Sequence, residues 1–229
     1  MAQADWLLCD ADDTLWENNI YFEEAIREFI EFVDHPVLSP AEVRRSLDRV
    51  EMHNIKLRGY GTANFGLNLA ECFEGLRGRP ADAVERRRLQ GMADQVLHAP
   101  VTPIPGVPET LEELVRRYRL GLVTKGDKTE QRSKLGRSGL ASAFEYVVTV
   151  PEKDTECYQA VVMELGADPD RTWMIGNSPK SDINPALAAG LGAVLVWNDN
   201  TWSLEMQALP VGHERYRAVR RFSDLTSIF

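Results

Sequence analysis

Short apolar runs recur along the chain, and each of them ends in polar residues. The first run, residues 6–9, is too short for a helix and leads into the polar segment 10–14, a pattern that predicts a buried strand followed by a loop. Four later runs have the same character and predict four further strands, at residues 120–124, 146–150, 172–175 and 193–197.

Segments with helical spacing lie directly before the second predicted strand and between the third and the fourth. Apolar residues recur at this spacing from Leu111 to Tyr118 and again from Tyr158 to Leu165, where Gly166 provides a stop signal. Strands that alternate with helices in this way are typical of a parallel sheet covered on both faces. The pattern therefore predicts an α/β fold with a Rossmann-like parallel sheet.

The alternation is interrupted once, between the first and the second predicted strand. This long segment has no strand pattern, and its apolar residues recur at helical spacing in several stretches. One of these helices has a start signal, because Ser39 and Glu42 form a capping box with Pro40 at the first helical position. Prolines at 100, 103, 105 and 108 mark the return to the sheet. We predict a core at residues 1–15 and 100–229 and an inserted all-helical cap at 16–99.

The composition excludes several classes of partner. A hydrophobic content of 44% and a charged content of 27% are typical of a folded domain. The 35 acidic and 26 basic side chains give a net charge of −9. The chain therefore lacks the basic surface that nucleic acids and anionic membranes require, and we expect neither as a partner.

The sequence carries no targeting signal that we recognise. The first five residues include no basic residue, and the apolar run that follows is shorter than a signal-peptide core. No window approaches the roughly 18 apolar residues of a membrane span. The three cysteines are odd in number and include no CxxC pair, so we predict neither a disulfide framework nor a zinc site. We expect a cytoplasmic protein.

Polar side chains follow four of the predicted strands. In an open α/β sheet, ligands bind beyond the carboxyl ends of the strands, so these side chains are the candidates for chemistry. They are Asp10 and Asp12, then Thr124 to Asp127, then Glu152 to Asp154, and finally Gly176 to Ser178 with Asp182.

The charges in these clusters predict a cation and a phosphoryl group. Asp10, Asp12 and Asp182 repel one another in one crevice unless a cation balances them, and an all-oxygen set favours Mg²⁺. Lys153, with Lys125 in reserve, supplies further positive charge. Such a site suits a phosphoryl group, whose charge must be neutralised on several oxygens. Asp10 is then either a metal ligand only or a nucleophile as well.

Four segments together resemble a known family. Residues 7–15, residues 123–124, Lys153 and residues 176–182 resemble, in order, the four motifs of the haloacid dehalogenase-like hydrolases. The order of the motifs, their placement at strand ends and the insertion after the first motif are similar to members with a helical type-1 cap. The resemblance spans the whole chain.

The resemblance implies a role for each matching residue. Asp10 would attack phosphorus to form an aspartyl-phosphate, while Asp12 would protonate the leaving oxygen and later activate water. Side chains of Asp10 and Asp182 and the backbone carbonyl of Asp12 would bind Mg²⁺. Thr124 and Lys153 would hold phosphate oxygens, with Lys125 as a further candidate. Dehalogenases and phosphonatases of the family lack an acid at the position of Asp12, so its presence favours a phosphatase.

Two residues depart from the family pattern. Asp13 stands where many relatives have glycine, which changes the turn or adds a charge near the site. Asn177 replaces the aspartate that commonly opens the fourth motif. Its amide oxygen still serves as a Mg²⁺ ligand, but the site loses one negative charge, and we expect weaker metal binding.

Several alternatives remain open at this level. The leading hypothesis is a Mg²⁺-dependent phosphatase that acts on a small phosphorylated metabolite, with the cap closing over the site. A phosphomutase of the same family would carry the same motifs, and a catalytically degenerate binding relative would differ at Asn177. Asp182 has a simpler alternative role as a helix N-cap.

Specificity is expected to come from the cap, because the core residues serve the phosphoryl group that all substrates share. Segment 56–61 places Arg58 and Tyr60 beside two glycines, after a predicted helix has ended. Arg58 is suited to a second anionic group and Tyr60 to stacking on a ring. Alternatively, the segment is a plain interhelical linker. Trp16, where the chain leaves the core, is expected to pack in the hinge.

Overall fold

The computed structural model describes residues 5–229. Residues 1–4, part of the N-terminal segment behind the prediction about export, lie outside the described residues. The described chain contains six strands, of which five lie where the apolar runs predict them and the sixth was not predicted. The strands are β1 (Trp6–Cys9), β2 (Arg119–Lys125), β3 (Tyr146–Val150), β4 (Thr172–Gly176), β5 (Gly192–Val196) and β6 (Tyr216–Val219).

The strands form one parallel sheet in the order β3-β2-β1-β4-β5-β6. Strand β1 lies inside the sheet, where Cys9 pairs with Leu122 of β2 on one side and with Ile175 of β4 on the other. The order runs from β1 to β3 in one direction and from β4 to β6 in the other. The winding reverses between β1 and β4, which is where ligands bind in open α/β sheets.

Helices pack on both faces of this sheet, which confirms the predicted fold class. Leu7 and Cys9 of β1 belong to one buried cluster, and Trp6 and Leu8 belong to another, so alternate side chains of a single strand enter two separate layers. The α-helices of the described chain are α1 (Asn19–Val33), α2 (Pro40–Arg58), α3 (Thr62–Arg77), α4 (Ala83–Leu97), α5 (Val107–Leu114), α6 (Lys128–Ser138), α7 (Thr155–Leu165) and α8 (Asn184–Ala188).

The chain divides into two compact units. One comprises Ile20–Pro100, and the other comprises Val101–Phe229 together with the N-terminal residues up to Asn19. These divisions lie within a few residues of the predicted boundaries. The first unit holds a helical insertion with its own buried cluster, which includes Phe29, Leu47 and Leu69. None of the helices in the described part of the chain has the length and apolar content of a membrane span.

Helix α2 begins as its capping sequence predicts. The backbone N–H of Ser39 donates to Oε2 of Glu42 at 2.8 Å, and Pro40 occupies the first helical position. In the sheet unit, Gly166 ends α7 in the left-handed conformation, as its stop signal predicts.

Candidate active site

Asp10 lies directly after β1, at the point where the winding of the sheet reverses. Its backbone N–H donates to the carbonyl oxygen of Ile175 in β4 at 2.9 Å, so the sheet register continues into this residue. Its side chain is buried, and it accepts hydrogen bonds from the ammonium of Lys153 and, at 3.2 Å, from the hydroxyl of Thr14. Asp10 is therefore held on both carboxylate oxygens.

Lys153 connects two of the sequence-predicted carboxylates. Its ammonium donates to Asp10 and, at 2.8 Å, to Oδ1 of Asp182. Only 3% of the residue is exposed. Burial alone would lower the pKa of this lysine, but the charges of Asp10 and Asp182 and their hydrogen bonds raise the pKa above its ordinary value. Lys153 therefore stays charged inside the protein.

Asp182 is positioned by the loop that follows β4. A single π-helical turn, Pro179–Ile183, carries it, and its Oδ2 accepts the backbone N–H of Ser178 at 2.9 Å. Ser178 caps this turn by accepting the N–H of Ser181 on its hydroxyl. The helix for which Asp182 was considered as N-cap, α8, begins at Asn184 without a side-chain cap, so Asp182 does not have that role. A Cβ on Gly176 would lie 2.2 Å from Oδ2 of Asp182, so only glycine permits this approach.

Asn177 faces the same point as Asp10. The hydroxyl oxygen of Thr14 lies 3.2 Å from Oδ2 of Asp10 and 3.1 Å from Oδ1 of Asn177. The amide nitrogen of Asn177 donates to the hydroxyl of Thr201 at 2.9 Å, which leaves the amide oxygen turned toward Thr14. A carboxylate oxygen and an amide oxygen thus converge on one hydroxyl.

The donor set fits a hard divalent cation. Within residues 5–229, no group of three or more His, Cys, Asp or Glu side chains could hold a metal ion. The oxygen donors around Asp10 are instead the carboxylate of Asp182, which shares Lys153 with it, and the amide oxygen of Asn177, which shares Thr14 with it. All of these donors are oxygens, as Mg²⁺ prefers, and Mg²⁺ usually keeps several water ligands of its own.

The electrostatics of Asp10 also favour a cation. Burial raises the pKa of this carboxyl, Lys153 opposes that shift, and the negative charge of Asp182 adds to it. The balance leaves the pKa above its ordinary value. Two buried carboxylates face one ammonium, so the site carries excess negative charge that further positive charge would offset.

Asp12 belongs to a second set of contacts, which the sequence did not predict. Its Oδ1 accepts the indole N–H of Trp16 at 2.7 Å, and its Oδ2 accepts the amide N–H of Gln131 at 2.8 Å. The ammonium of Lys134 lies 3.0 Å from both oxygens. Trp16, expected only to pack in a hinge, is fully buried and also bonds to Asp12.

Gln131 and Lys134 escaped notice because their helix, α6, was not predicted. Its sequence is strongly polar and has no apolar periodicity. A capping signal was nevertheless present, since Asp127 accepts the backbone N–H groups of Thr129 and Glu130 at 2.8 and 2.9 Å. An aspartate at the N-cap with glutamate three residues later is a start signal that does not depend on hydrophobicity.

Asp13 shows why this position favours glycine in the family pattern. Its φ is 61°, in the left-handed region that side chains other than glycine and asparagine or aspartate rarely adopt. The carboxylate accepts the backbone N–H groups of Asn18 and Asn19, each at 2.9 Å. Burial raises the pKa of Asp13 to about 7. Asp13 therefore shapes the turn after Asp12 and accepts the N–H groups at the start of α1.

Lys125 belongs to a separate network centred on Glu205. Its ammonium donates to Oε1 of Glu205 at 2.7 Å and to the hydroxyl of Ser181 at 2.8 Å. Ser178 and Ser181 also donate to Oε2 of Glu205. Burial alone would raise the pKa of Glu205, but Lys125 and these hydrogen bonds lower it to about 2. Glu205 thus holds the loop that carries Asp182, a role with no sequence signal.

The remaining sequence-predicted residues lie in different places. Thr124 is buried near the end of β2, two residues before Gly126, and pairs in register with Thr149 of β3. Arg58 is the last residue of α2 and donates to Oε2 of Glu71 at 3.0 Å. Tyr60 follows in the loop to α3. The side-chain amide of Asn64 donates to the carbonyl of Arg58 at 2.7 Å, which stabilises this loop.

Curated proteins resemble part of the chain. The glyceraldehyde 3-phosphate phosphatase of Methanothermobacter thermautotrophicus is 34% identical over 112 residues, which cover 46% of this chain and 50% of that protein. The N-acylneuraminate-9-phosphatase of Homo sapiens is 32% identical over 112 residues, which cover 47% and 45% respectively. The chain thus spans about half the length of these two curated relatives.

Other comparisons extend over most of the chain. A haloacid dehalogenase-like family hydrolase from Xanthomonas campestris has a fold that matches with a TM-score of 0.86 at 29% identity, covering 100% of this chain and 93% of that one. A family model for haloacid dehalogenase-like hydrolases matches residues 4–190. The resemblance of the four motifs is therefore confirmed, and the chain belongs to the haloacid dehalogenase-like hydrolases.

Proposed function

We propose that this protein is a Mg²⁺-dependent phosphatase that hydrolyses a small phosphomonoester through an aspartyl-phosphate. The observation that carries the proposal is the buried contact of Lys153 with both Asp10 and Asp182 at the strand ends. A buried ammonium between two carboxylates suits a site in which an anionic phosphoryl group is handled. The printed names of the curated relatives, which are phosphatases, support the same activity.

Asp10 would be the nucleophile and Asp12 the proton carrier. A carboxylate attacks phosphorus only when it is ionised, and Lys153 favours the ionised form of Asp10. One oxygen of Asp10 would form the bond to phosphorus as the bond to the leaving oxygen breaks. Asp12 would give its proton to that oxygen and then take a proton from the water that hydrolyses the aspartyl-phosphate. Lys153 and Thr124 would hold the phosphoryl oxygens.

The side chains of Asp10, Asn177 and Asp182 would hold Mg²⁺, together with the backbone carbonyl of Asp12. When bound, the ion would neutralise charge on the phosphoryl oxygens. The donors that would hold the ion are all oxygens, which supports Mg²⁺. Asn177 in place of a carboxylate lowers the negative charge of this set, and we infer a correspondingly lower Mg²⁺ affinity.

The substrate class would be a small phosphorylated metabolite. Relatives are named for glyceraldehyde 3-phosphate, an N-acylneuraminate 9-phosphate and phosphoserine, and each of these is a small phosphomonoester. The acid at position 12 supports hydrolysis of an ester, because an ester has a leaving oxygen that needs a proton.

A turnover assay tests the proposal. Purified protein with Mg²⁺ is given a panel of sugar phosphates, nucleotides and phosphoserine, and released phosphate is measured with wild type and with Asp10→Asn. We expect phosphate release by wild type without a bisphosphate activator and loss of turnover in Asp10→Asn, because an amide cannot attack phosphorus. Strong residual turnover in folded Asp10→Asn would contradict the nucleophile assignment. Isomerised sugar phosphate without phosphate release would instead indicate a phosphomutase.

A further inference from the structure

The carboxylate of Asp12 is surrounded by hydrogen-bond donors from two segments of the sheet unit. Trp16, four residues later in the chain, binds Oδ1, and Gln131 of α6 binds Oδ2. Lys134 binds both oxygens at 3.0 Å. With a donor on each side and an ammonium across both oxygens, the carboxylate has one preferred orientation.

Lys134 is itself held in place by its helix and by a second acceptor. Gln131 and Lys134 are three residues apart, so they share a face of α6. The helix is capped by Asp127 at its start and by Gly139 at its end. Leu135 packs into the buried cluster that also contains Leu7 and Cys9 of β1. The Lys134 ammonium also donates to Oδ1 of Asn18 at 2.6 Å. The Lys134 ammonium is therefore held by Asn18 as well as by Asp12.

We propose that Lys134 is a positioning residue for Asp12, with Gln131 as its partner, and that it orients the carboxylate for proton transfer. The proposal rests on the proposed function, since it assigns a role through Asp12 in that reaction. Lys134 differs in kind from Lys153, because Lys153 contacts Asp10 and Asp182 and would touch the phosphoryl group itself. The loss of Lys134 should therefore matter most where the leaving oxygen needs a proton.

The kinetic test compares two esters. An alkyl phosphate has a poor leaving group that depends on an acid, whereas p-nitrophenyl phosphate has a good one that needs little help. General acid catalysis is worth about 10²- to 10⁴-fold, so we expect Lys134→Met to lower kcat/KM for the alkyl ester by about 10- to 100-fold and for the aryl ester by less than about threefold. In an Asp12→Asn background the same substitution should add little, because the positioned group is gone.

Controls separate this role from a general effect on the fold. Lys128→Met removes an exposed lysine from the same helix and should leave both esters unaffected. Lys134→Arg keeps the positive charge and can donate to both carboxylate oxygens of Asp12. It should therefore retain more activity on the alkyl ester than Lys134→Met. Equal losses on both esters, or losses that persist in the Asp12→Asn background, would overturn the positioning role.

A spectroscopic measurement keeps the inference testable apart from turnover. The indole N–H of Trp16 donates to Asp12, so its ¹H–¹⁵N resonance reports on the carboxylate. We expect Lys134→Met to shift this resonance toward its position in Asp12→Asn, while Lys128→Met leaves it in place. An unshifted resonance overturns the inference even if the protein hydrolyses phosphomonoesters. Absence of hydrolysis by wild type together with a shifted resonance would overturn the proposed function, while the contact between Lys134 and Asp12 would stand.

Discussion

At the scale of single residues, Asp12 is the side chain whose proposed role has the most direct kinetic signature. We predict that Asp12→Asn lowers the rates of both halves of the reaction by about 10²- to 10⁴-fold. The asparagine can neither protonate the leaving oxygen nor take a proton from the attacking water. With p-nitrophenyl phosphate, formation of the aspartyl-phosphate needs less help than its hydrolysis, so the phosphoenzyme should accumulate. Rapid acid quench with a ³²P-labelled aryl ester measures the trapped fraction.

The double variant Asp10→Asn/Asp12→Asn is the control for that trapping experiment. It lacks the nucleophile, so no label should be retained by the protein. Label in the double variant, or wild-type rates of turnover in Asp12→Asn, would contradict the paired roles of the two carboxylates.

Glu51 in the helical insertion is a buried carboxyl group, and its burial predicts that the stability of the protein depends on pH. It is buried, and its Oε2 has no hydrogen-bond partner among the described residues. Burial raises the pKa of Glu51 to about 7, against 4.5 for an ordinary glutamate, although Arg44 opposes the shift. The Glu51 carboxylate therefore binds a proton more tightly in the folded state than in the unfolded state. The contribution of Glu51 to the free energy of unfolding is therefore constant below pH 4.5, falls as the pH rises to about 7, and stays low above it.

Glu51→Gln should remove this pH dependence. One pKa unit corresponds to about 1.4 kcal/mol, so the variant should exceed wild type in the free energy of unfolding by roughly 3 kcal/mol at pH 8 and by little at pH 4.5. Urea unfolding at the two pH values measures the difference. Glu24→Gln, on the exposed surface of α1, is the matched control and should change stability equally at both. A pH-independent difference for Glu51→Gln would refute the buried charge.

The predicted site residues that the structure brings together follow apolar runs. Asp10 follows β1, Lys153 follows β3 and Asp182 lies in the loop after β4, and the ammonium of Lys153 contacts both carboxylates. Glu205 comes from a short 3₁₀ turn far beyond β5, and its bonds to Lys125 and the serines depend on the folded path of that loop. Nothing in local sequence marks such a residue. The catalytic and metal-binding roles themselves stay predictions.

At the scale of elements, prediction failed where hydrophobic pattern is absent. Strand β6 lies at the edge of the sheet, is only partly buried and includes Arg217, so it has no continuous apolar run. Helix α6 is polar on most of its surface, with only Gln131, Leu135 and Ser138 buried. Both elements form because tertiary contacts stabilise them, and a pattern built on core positions does not detect such elements.

The loop between α2 and α3 carries a prediction about specificity. Arg58 and Tyr60 remain the predicted specificity residues, although Arg58 already pairs with Glu71 at 3.0 Å and both residues lie at an exposed or partly exposed position. We expect Arg58→Ala and Tyr60→Ala to raise KM for the preferred metabolite several-fold, while KM for p-nitrophenyl phosphate changes little, because the aryl ester has no second group to bind. Steady-state kinetics on both esters measure the split.

An exposed arginine of the same helix supplies the control for this loop. Arg45→Ala removes an equal charge from α2 and should leave both KM values unchanged. If Arg58→Ala alters both esters equally, or neither, the loop is an interhelical linker. The bond from Asn64 to the Arg58 carbonyl would then account for its order without a binding role.

At the scale of the whole molecule, the division into a sheet unit and a helical insertion follows from two periodicities in the sequence. Apolar runs of strand length place five strands, and one long stretch of helical period places the insertion between β1 and β2. The capping box at Ser39 and the stop at Gly166 fix helix ends to the residue. The strand order required the structure, because periodicity does not state which parallel strands are neighbours.

Asp10 and Asp182 lie far apart in the sequence and come together only in the folded sheet unit. A cation that binds both carboxylates should therefore raise the free energy of unfolding. Asp10 and Asp182 face one ammonium, Lys153, so a divalent cation that binds only the folded state raises its stability, by about 2.7 kcal/mol at a hundred times its Kd. For a chain of this size, about 1 kcal/mol corresponds to roughly 2 to 4 °C in Tm, so saturating Mg²⁺ should raise Tm by several degrees over EDTA-treated protein.

Turnover should stop with EDTA and return with Mg²⁺. Asp182→Asn preserves the shape of the buried side chain but removes its charge, so it should lose most of the Mg²⁺-dependent rise in Tm. Differential scanning calorimetry at constant ionic strength, with K⁺ replacing Mg²⁺ as the control, measures both effects. An equal Tm in Mg²⁺ and EDTA, together with turnover indifferent to the chelator, would show that this site works without a divalent ion.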